Sequence, residues 1–420
     1  MYNPDITDQA LWKAGKDFHI NLVRYDDEHL DEMISRLEGA VLERDKWGVS
    51  TKTRQLTPAE RGFIKNERLV CKYDFDYFFR RYVHTQIKLE GESVLVDRIK
   101  NPLEPQKMFM QHLSNHELAL STGKARDGYM FICCKARQEG YTTIARGITM
   151  QRVLFWEDSR ALAASLDDTT ILELYDRDHT IYDNLPWWLQ PMVEYDTKGK
   201  QFTFGKMKSS ITYATGNQKG GLGTSKTIPV THITELGLWD DPAYGAGGNP
   251  EQVIFNLQPT WPQSPDTFVM LESTSNGRGN FWCQYVTASR EGRTRFTAVF
   301  CGWYVEPRHN RDTPPDGWQP LDRTKEMIAL VERTSPGYCF GKTIRLEPEQ
   351  AYWWEKNYLE AKSMGRTAYF LTNYPTTLEE SFQSSGNRAF SSETIDLLKG
   401  GIKGAVPYWF SNTQPIGKIT

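Results

Sequence analysis

The sequence predicts an α/β protein with a mainly parallel central sheet flanked by helices, preceded by a helical N-terminal region. Two observations predict it. Short apolar runs recur at 129–134, 160–165, 229–233, 267–271 and 297–303, each the length of a strand. The stretches after the first two carry helical rather than alternating periodicity, and strands separated by helices lie parallel.

Taken in order, Asp27–Arg44 sets Leu30, Met33, Ile34, Leu37 and Val41 at helical spacing, which predicts one amphipathic helix. Tyr73–His84, with Phe75, Phe78, Phe79 and Val83 near one face, predicts a second. A loop with Gly91 and Pro102 leads to a helix over Pro105–His116. Tyr129–Cys134 reads as a buried strand, Thr142–Trp156 as a helix, Arg160–Ser165 as a strand and Asp168–Arg177 as a helix. Gln201–Thr215 alternates like a hairpin with Gly205 and Lys206 at its turn. The loop Gly216–Lys226 holds four glycines. Pro229–Ile233, Thr267–Leu271 and Thr297–Trp303 read as further strands, and Pro307–Pro320 as a surface excursion. Three regions follow: a helical segment 1–70, an α/β domain 71–390, and a tail or linker 391–420.

Composition bounds the function. The 420 residues are 39% hydrophobic and 25% charged, as in ordinary globular proteins. No apolar stretch reaches the roughly 18–20 residues that cross a bilayer, and the N-terminus lacks a signal peptide's charged and apolar regions. A cytoplasmic protein without membrane contact is expected. The six cysteines include no CxxC pair, so they read as small buried hydrophobes. His112 and His116 have helical metal spacing but no evident third ligand.

The net charge of −3 is unevenly spread. Residues 1–43 carry 10 acids and 4 bases, and residues 44–72 carry 8 bases and 3 acids. Residues 197–226 carry six lysines and no acid. Such patches suit salt-sensitive contact with a phosphate backbone, or else are solvated faces. Lys206, Lys208 and Lys219 are the candidate DNA contacts.

The stretch with the most chemistry runs strand, turn, helix: the buried strand, then Lys135-Ala136-Arg137-Gln138-Glu139-Gly140-Tyr141-Thr142-Thr143, then the next helix. A polyphosphate is cradled by backbone N–H groups at a helix N-terminus, with a cation and a metal-binding hydroxyl nearby. Gly140 permits close backbone approach, Thr142 offers the hydroxyl for Mg²⁺, and Lys135 and Arg137 offer the cations. The common GxxxxGK[ST] pattern is not met, since Tyr141 stands where that pattern has lysine. On pattern alone the stretch also fits a polar surface turn.

This KxRQxGxTT stretch after a buried strand resembles the variant phosphate loop of tailed-bacteriophage large terminases, the ATPase motors of DNA packaging, in which the cation lies at the loop's start. The resemblance implies a P-loop NTPase fold that binds ATP and Mg²⁺, with Lys135 or Arg137 at the β- and γ-phosphates and Thr142 at the metal. It extends to Pro229–Glu235, where a short strand ends in a carboxylate that suits the catalytic base, Thr234 standing where most such enzymes carry Asp. Ser273-Thr274-Ser275-Asn276 resembles the terminase coupling motif. Gln106 resembles the glutamine that reads adenine; otherwise it is a helix-start residue. Tyr374–Phe382 with Arg388-Ala389-Phe390 resembles the end of the ATPase region.

The same resemblance implies a homo-oligomeric ring around double-stranded DNA, a portal protein, a small terminase subunit, and residence in the host cytoplasm docked transiently on a procapsid. Arg278, Arg290, Arg293 and Arg295 are candidates for an arginine lent to a neighbouring subunit. After Phe390 only Glu393 and Asp396 are acidic, so no metal-dependent nuclease is expected in this chain, and a separate nuclease chain is a possible partner. A helicase-like remodelling ATPase and a catalytically silent scaffold are the alternatives.

Overall fold

A computed structural model describes residues 22–46, 48–88, 94–125, 127–216, 222, 226–241, 249–383, 408–411 and 414–418. Gly91, Lys219 with most of its glycine loop, Arg388–Phe390, Glu393 and Asp396 lie outside the described residues.

The N-terminal part is less uniformly helical than expected. Helix α1 (Asp27–Glu38), N-capped by Asp26, buries Leu30, Met33 and Leu37 and then stops. Val41, which fits the helical spacing, instead begins β1 (Val41–Arg44), antiparallel to β2 (Ser50–Thr53). The interruption comes at Gly39, a residue that weakens helix propagation. Helix α2 (Pro58–Tyr73) starts in a capping box between Thr57 and Glu60. Asp74 then closes α2 and caps α3 (Phe75–Tyr82), so the single helix expected over 73–84 is a corner between two. Strands β3 (His84–Lys88) and β4 (Val94–Arg98) form a second hairpin.

Much of the basic character of residues 44–72 is used internally. Arg44 pairs with Glu38, Lys52 with Glu43, Arg54 with Glu60, and Arg68 donates to the Trp188 carbonyl.

Beyond α4 (Glu104–Ser121), the chain builds an eight-stranded sheet from β5 (Tyr129–Lys135), β6 (Arg160–Ser165), β7 (Val193–Thr197), β8 (Gln201–Phe204), β9 (Ser209–Thr215), β10 (Val230–Thr234), β11 (Phe268–Ser273) and β12 (Thr297–Cys301). Its order is β12-β5-β11-β10-β6-β9-β8-β7. The first six in that order are mutually parallel, and β8 and β7 continue antiparallel. The expected α/β architecture with a mainly parallel sheet is the one present. The hairpin expected over 201–215 is β8–β9, with β7 as a third strand.

Period-two alternation divides the sheet's side chains between two cores. Phe131, Cys133, Val230, Phe268 and Met270 face α5 (Tyr141–Phe155), α6 (Asp168–Asp183) and the N-terminal helices. Met130, Ile132, Cys134, Ile233, Val269 and Leu271 face α7 (Pro250–Leu257) and α8 (Phe281–Arg290). Burial on both sides explains why these strands are apolar runs rather than alternating ones. Helices α9 (Asp322–Tyr338), α10 (Pro348–Ser363), α11 (Thr367–Asn373) and α12 (Leu378–Ser381) follow, none foreseen from the sequence. Among the described residues no helix is long and apolar enough to cross a membrane.

Candidate active site

Parallel strands end along one edge, so Lys135, Thr234 and Ser273 close their strands side by side. The turn after β5 is fixed by backbone. The Ala136 amide donates to the Cys301 carbonyl at 2.8 Å and the Arg137 amide to the Asn373 carbonyl at 3.2 Å. Gln138 and Gly140 then take left-handed φ values of 64° and 71°, a conformation that favours glycine. At Gly140 a second constraint applies: an added Cβ would sit 2.7 Å from Gln106 Nε2 and 2.9 Å from Leu103 Cδ1. Gly140 is therefore required by its own chain as well as by any approaching phosphate. Helix α5 begins directly after it, with its first amides at the turn.

The residues expected to act together divide into two sets. Lys135 Nζ lies 3.4 Å from Glu235 Oε1 and 3.2 Å from Glu272 Oε2. Ser273 and Thr274 hydroxyls lie 3.5 and 3.4 Å from Glu235 Oε2. Glu235 holds φ 54° and ψ 30°, a left-handed position that costs a non-glycine residue about 1–2 kcal/mol and often marks a working site. Thr142 does not meet Glu235; its hydroxyl donates to Glu272 Oε1 at 2.8 Å. Ser275 and Asn276 also turn elsewhere. Ser275 meets Cys134 and Ser381, and Asn276 donates to Asp241 at 2.6 Å.

The strand carrying Glu235 is not the immediate neighbour of β5, because β11 runs between them. That insertion brings in Glu272, which the sequence reading passed over. Glu272 is fully buried and sits on the α5 face, in register with Thr234 on one side and Cys133 on the other. Its Oε1 accepts from Thr142 and, at 2.7 Å, from Thr234, with His232 Nε2 at 3.4 Å. A signal was present: a glutamate inside Phe-Val-Met-Leu-Glu-Ser is a charge within an otherwise apolar strand.

Electrostatics tie the cluster together. Burial works against the charge on Lys135, but the Glu235 and Glu272 carboxylates outweigh it and hold the ammonium's pKa above its ordinary value. Burial likewise opposes ionisation of Glu272, and Lys135, His232 and Thr234 reverse that, holding its carboxyl well below the usual range. Burial holds the His232 pKa below its ordinary value, which favours the neutral ring.

The remaining loop residues differ in exposure. Arg137 and Gln138 are exposed, while Ala136 and Glu139 are buried. Burial pushes the Glu139 carboxyl well up, with Glu306 adding to it. Tyr141, in the position where lysine is usual, is buried against Phe109 in the core, so Lys135 is the buried cation of this loop. Thr143 accepts from Arg177 at 3.4 Å.

Gln106 is buried, and its amide is engaged within the chain. It accepts from the Leu103 amide at 3.0 Å and donates to the Gly140 carbonyl at 3.1 Å. The groups an adenine contact would use thus brace the turn at Gly140.

Arg290 pairs with Glu379, Arg293 with Glu291 and Arg295 with Asp127, while Arg278 is exposed. Lys206 and Lys208 are exposed on the β8–β9 turn. Because β9 runs parallel to β6, that turn lies at the opposite end of the sheet from Lys135. His112 packs on Phe340, and His116 Nε2 meets the Asp127 carbonyl. Among the described residues no group of three or more His, Cys, Asp or Glu is placed to hold a metal. The cysteines are free, all buried except the half-buried Cys283.

No family profile matches this chain, and no curated protein does. Among solved structures it is similar to the large terminase of bacteriophage HK97, at 12% identity over 73% of this chain, with a TM-score of 0.45. It is similar to the large terminase ATPase domain of Thermus phage P74-26, at 11% identity over 44% of this chain and 80% of that one, with a TM-score of 0.31. A third similar structure is the Phi-28 gp11 DNA packaging motor, at 11% identity over 54% of this chain and 68% of that one, with a TM-score of 0.26. The chain spans 55% of the length of the HK97 protein.

Proposed function

We propose that this site binds ATP with Mg²⁺ and hydrolyses it, and that hydrolysis drives double-stranded DNA into a viral procapsid. The observation that carries the hydrolytic part is the Lys135 ammonium at the phosphate turn, within 3.4 Å of Glu235 and 3.2 Å of Glu272. A buried lysine at a helix-capping turn, facing a carboxylate at a strand end, is what phosphoryl transfer to water asks for.

The turn 135–143 cradles the phosphates with the first amides of α5, and Lys135 and Arg137 neutralise the charge that builds on the transferred oxygens. Glu235 accepts a hydrogen bond from the attacking water and draws off its proton. Ser273 and Thr274, already against Glu235, report its position to β11 without carrying charge. Thr142 is the hydroxyl that would hold the metal, which would supply neutralisation of phosphate charge. The fit is supported by the Thr142 proton going to Glu272, which leaves the oxygen's lone pairs available.

The step from hydrolysis to DNA rests on the order of motifs in the sequence. It carries with it the portal protein, the small terminase subunit, a ring of like subunits and the host cytoplasm as setting. The decisive measurement is ATP turnover with and without duplex DNA, for the natural chain and for Glu235→Gln. Loss of a general base lowers turnover by roughly 10²–10⁴-fold with nucleotide binding retained. A natural chain no faster than the variant, DNA present, would make this a silent scaffold.

A further inference from the structure

Thr234 occupies the position where a P-loop enzyme usually offers an aspartate to the metal, and a threonine cannot supply a charge there. The carboxylate is nevertheless present, one strand over. We propose that Glu272 is the metal-holding carboxylate of this site, delivered from the neighbouring strand β11 to the place that β10 leaves without one. This assignment rests on the nucleotide-binding reading of the 135–143 turn and gives Glu272 a role which that reading did not assign.

Register makes the transfer possible. Thr234 and Glu272 are paired across parallel strands, so their side chains leave the sheet on the same face at neighbouring points. Thr234 donates to Glu272 Oε1 at 2.7 Å and thereby holds the carboxylate it replaces. The Thr142 hydroxyl reaches the same oxygen at 2.8 Å from the first turn of α5. A hydroxyl that gives its proton to a carboxylate presents lone pairs to a cation, which fixes Thr142 in the donor state a metal requires.

The other carboxylate oxygen is the working one. Glu272 Oε2 is buried with no hydrogen-bond partner among the described residues, and it faces the Lys135 ammonium at 3.2 Å. Lys135 is shared with Glu235, so one cation serves two carboxylates. When Lys135 turns to a bound phosphate, Glu272 would be a buried charge without a counter-ion, a state that costs several kcal/mol. A divalent cation arriving with the nucleotide removes that cost. Glu272 Oε2 would then be the oxygen turned to the metal, while Oε1 continues to orient Thr142. His232 closes the back of the site. Arg146 Nη1 faces its Nδ1 at 3.5 Å, which assigns the ring proton to Nε2, 3.4 Å from Glu272 Oε1.

The test measures metal rather than turnover. Mn²⁺ binding to the full chain saturated with a non-hydrolysable ATP analogue is read by electron paramagnetic resonance, alongside analogue binding in EDTA. Glu272→Gln keeps the shape and the acceptor for Thr142 but removes the charge. It is expected to weaken Mn²⁺ binding roughly tenfold or more, with metal-free analogue binding within about threefold of the natural chain. Mn²⁺ affinity within about twofold of the natural chain overturns the assignment. A natural chain that binds no analogue at all overturns the phosphate-turn reading beneath it, a different result. Should Glu272→Gln not fold, the transposed pair Thr234→Asp with Glu272→Thr is judged instead. Returning the charge to β10 is expected to keep Mn²⁺ affinity within about threefold, and a loss beyond about tenfold overturns the assignment.

Discussion

Two clusters of buried charge lie on the same face of the sheet, one helical turn apart on α5. Around Arg146 every partner is met. The guanidinium and Asp178 are both fully buried and form a two-pronged pair, Nε to Oδ1 at 2.8 Å with Nη2 on Oδ2, and the Tyr213 hydroxyl caps Oδ2. Around Lys135 the ammonium's contacts are longer, at 3.2 and 3.4 Å, one cation serves two carboxylates, and among the described residues Glu272 Oε2 is met by that ammonium alone. The first arrangement can gain nothing from a ligand. On the proposed reading the second would gain from phosphate and metal, which would complete what the chain leaves incomplete. Saturation of hydrogen bonds, more than burial or charge, is what distinguishes the two clusters.

That contrast is breakable. Arg146→Ala leaves Asp178 buried and unpaired, and is expected to cost about 3–5 kcal/mol of unfolding free energy; a denaturant titration showing under about 1 kcal/mol would place the Arg146 cluster among weakly coupled surface pairs.

A third buried carboxylate sharpens the comparison, since Glu67 has phenols rather than a close cation. Tyr77 donates to it at 3.2 Å and Tyr82 also donates. Burial pushes its pKa up from 4.5 to about 7. Between those values the folded chain keeps a proton that the unfolded chain has released, so stability falls as pH rises through the window and stays lowered above it. The fall is on the order of 3 kcal/mol. Glu67→Gln should flatten that part of the stability–pH curve, and an unaltered curve would assign the slope elsewhere.

At the open cluster's own frame, Gly140→Ala forces an alanine into φ 71° against Gln106. About 1–2 kcal/mol of stability is expected to go, with nucleotide affinity falling alongside, both readable by thermal shift with and without ATP. The smallest effect is expected farthest away. Lys206→Gln with Lys208→Gln should leave melting unchanged and lower the salt-dependence slope of DNA binding by about 1 per lysine. An unchanged slope would leave the pair as solvated residues at the end of the sheet away from the phosphate turn.

The sequence made the sheet legible because parallel strands buried on both faces are apolar runs, and 129–134, 160–165, 229–233 and 267–271 each became one. It misread Val41, whose spacing extends a helix that Gly39 interrupts. Within the site, Lys135 lies against Glu235, but Ser273 and Thr274 are the coupling residues beside it, where Thr142, Ser275 and Asn276 were expected. Glu272 was lost because strand order is decided by long-range packing: nothing local says that β11 lies between β5 and β10, so nothing local says that its glutamate meets Thr142. The Gln106 reading went to adenine because a buried amide's partners, Leu103 and Gly140, include one that lies 34 residues away. Arg146 and Asp178, 32 residues apart, gave no sign of each other for the same reason.

The amide of Arg137 finds its acceptor at Asn373, and the Cys134 thiol meets the Ser381 hydroxyl. Both ends of that stitch are needed to finish the first turn after β5, although more than two hundred residues separate them in the chain. A shortened version of this protein trimmed ahead of Asn373 would leave the Arg137 N–H bare at the turn proposed to hold nucleotide. Any minimal fragment meant to keep that turn intact must therefore run through the short helix that ends at Ser381.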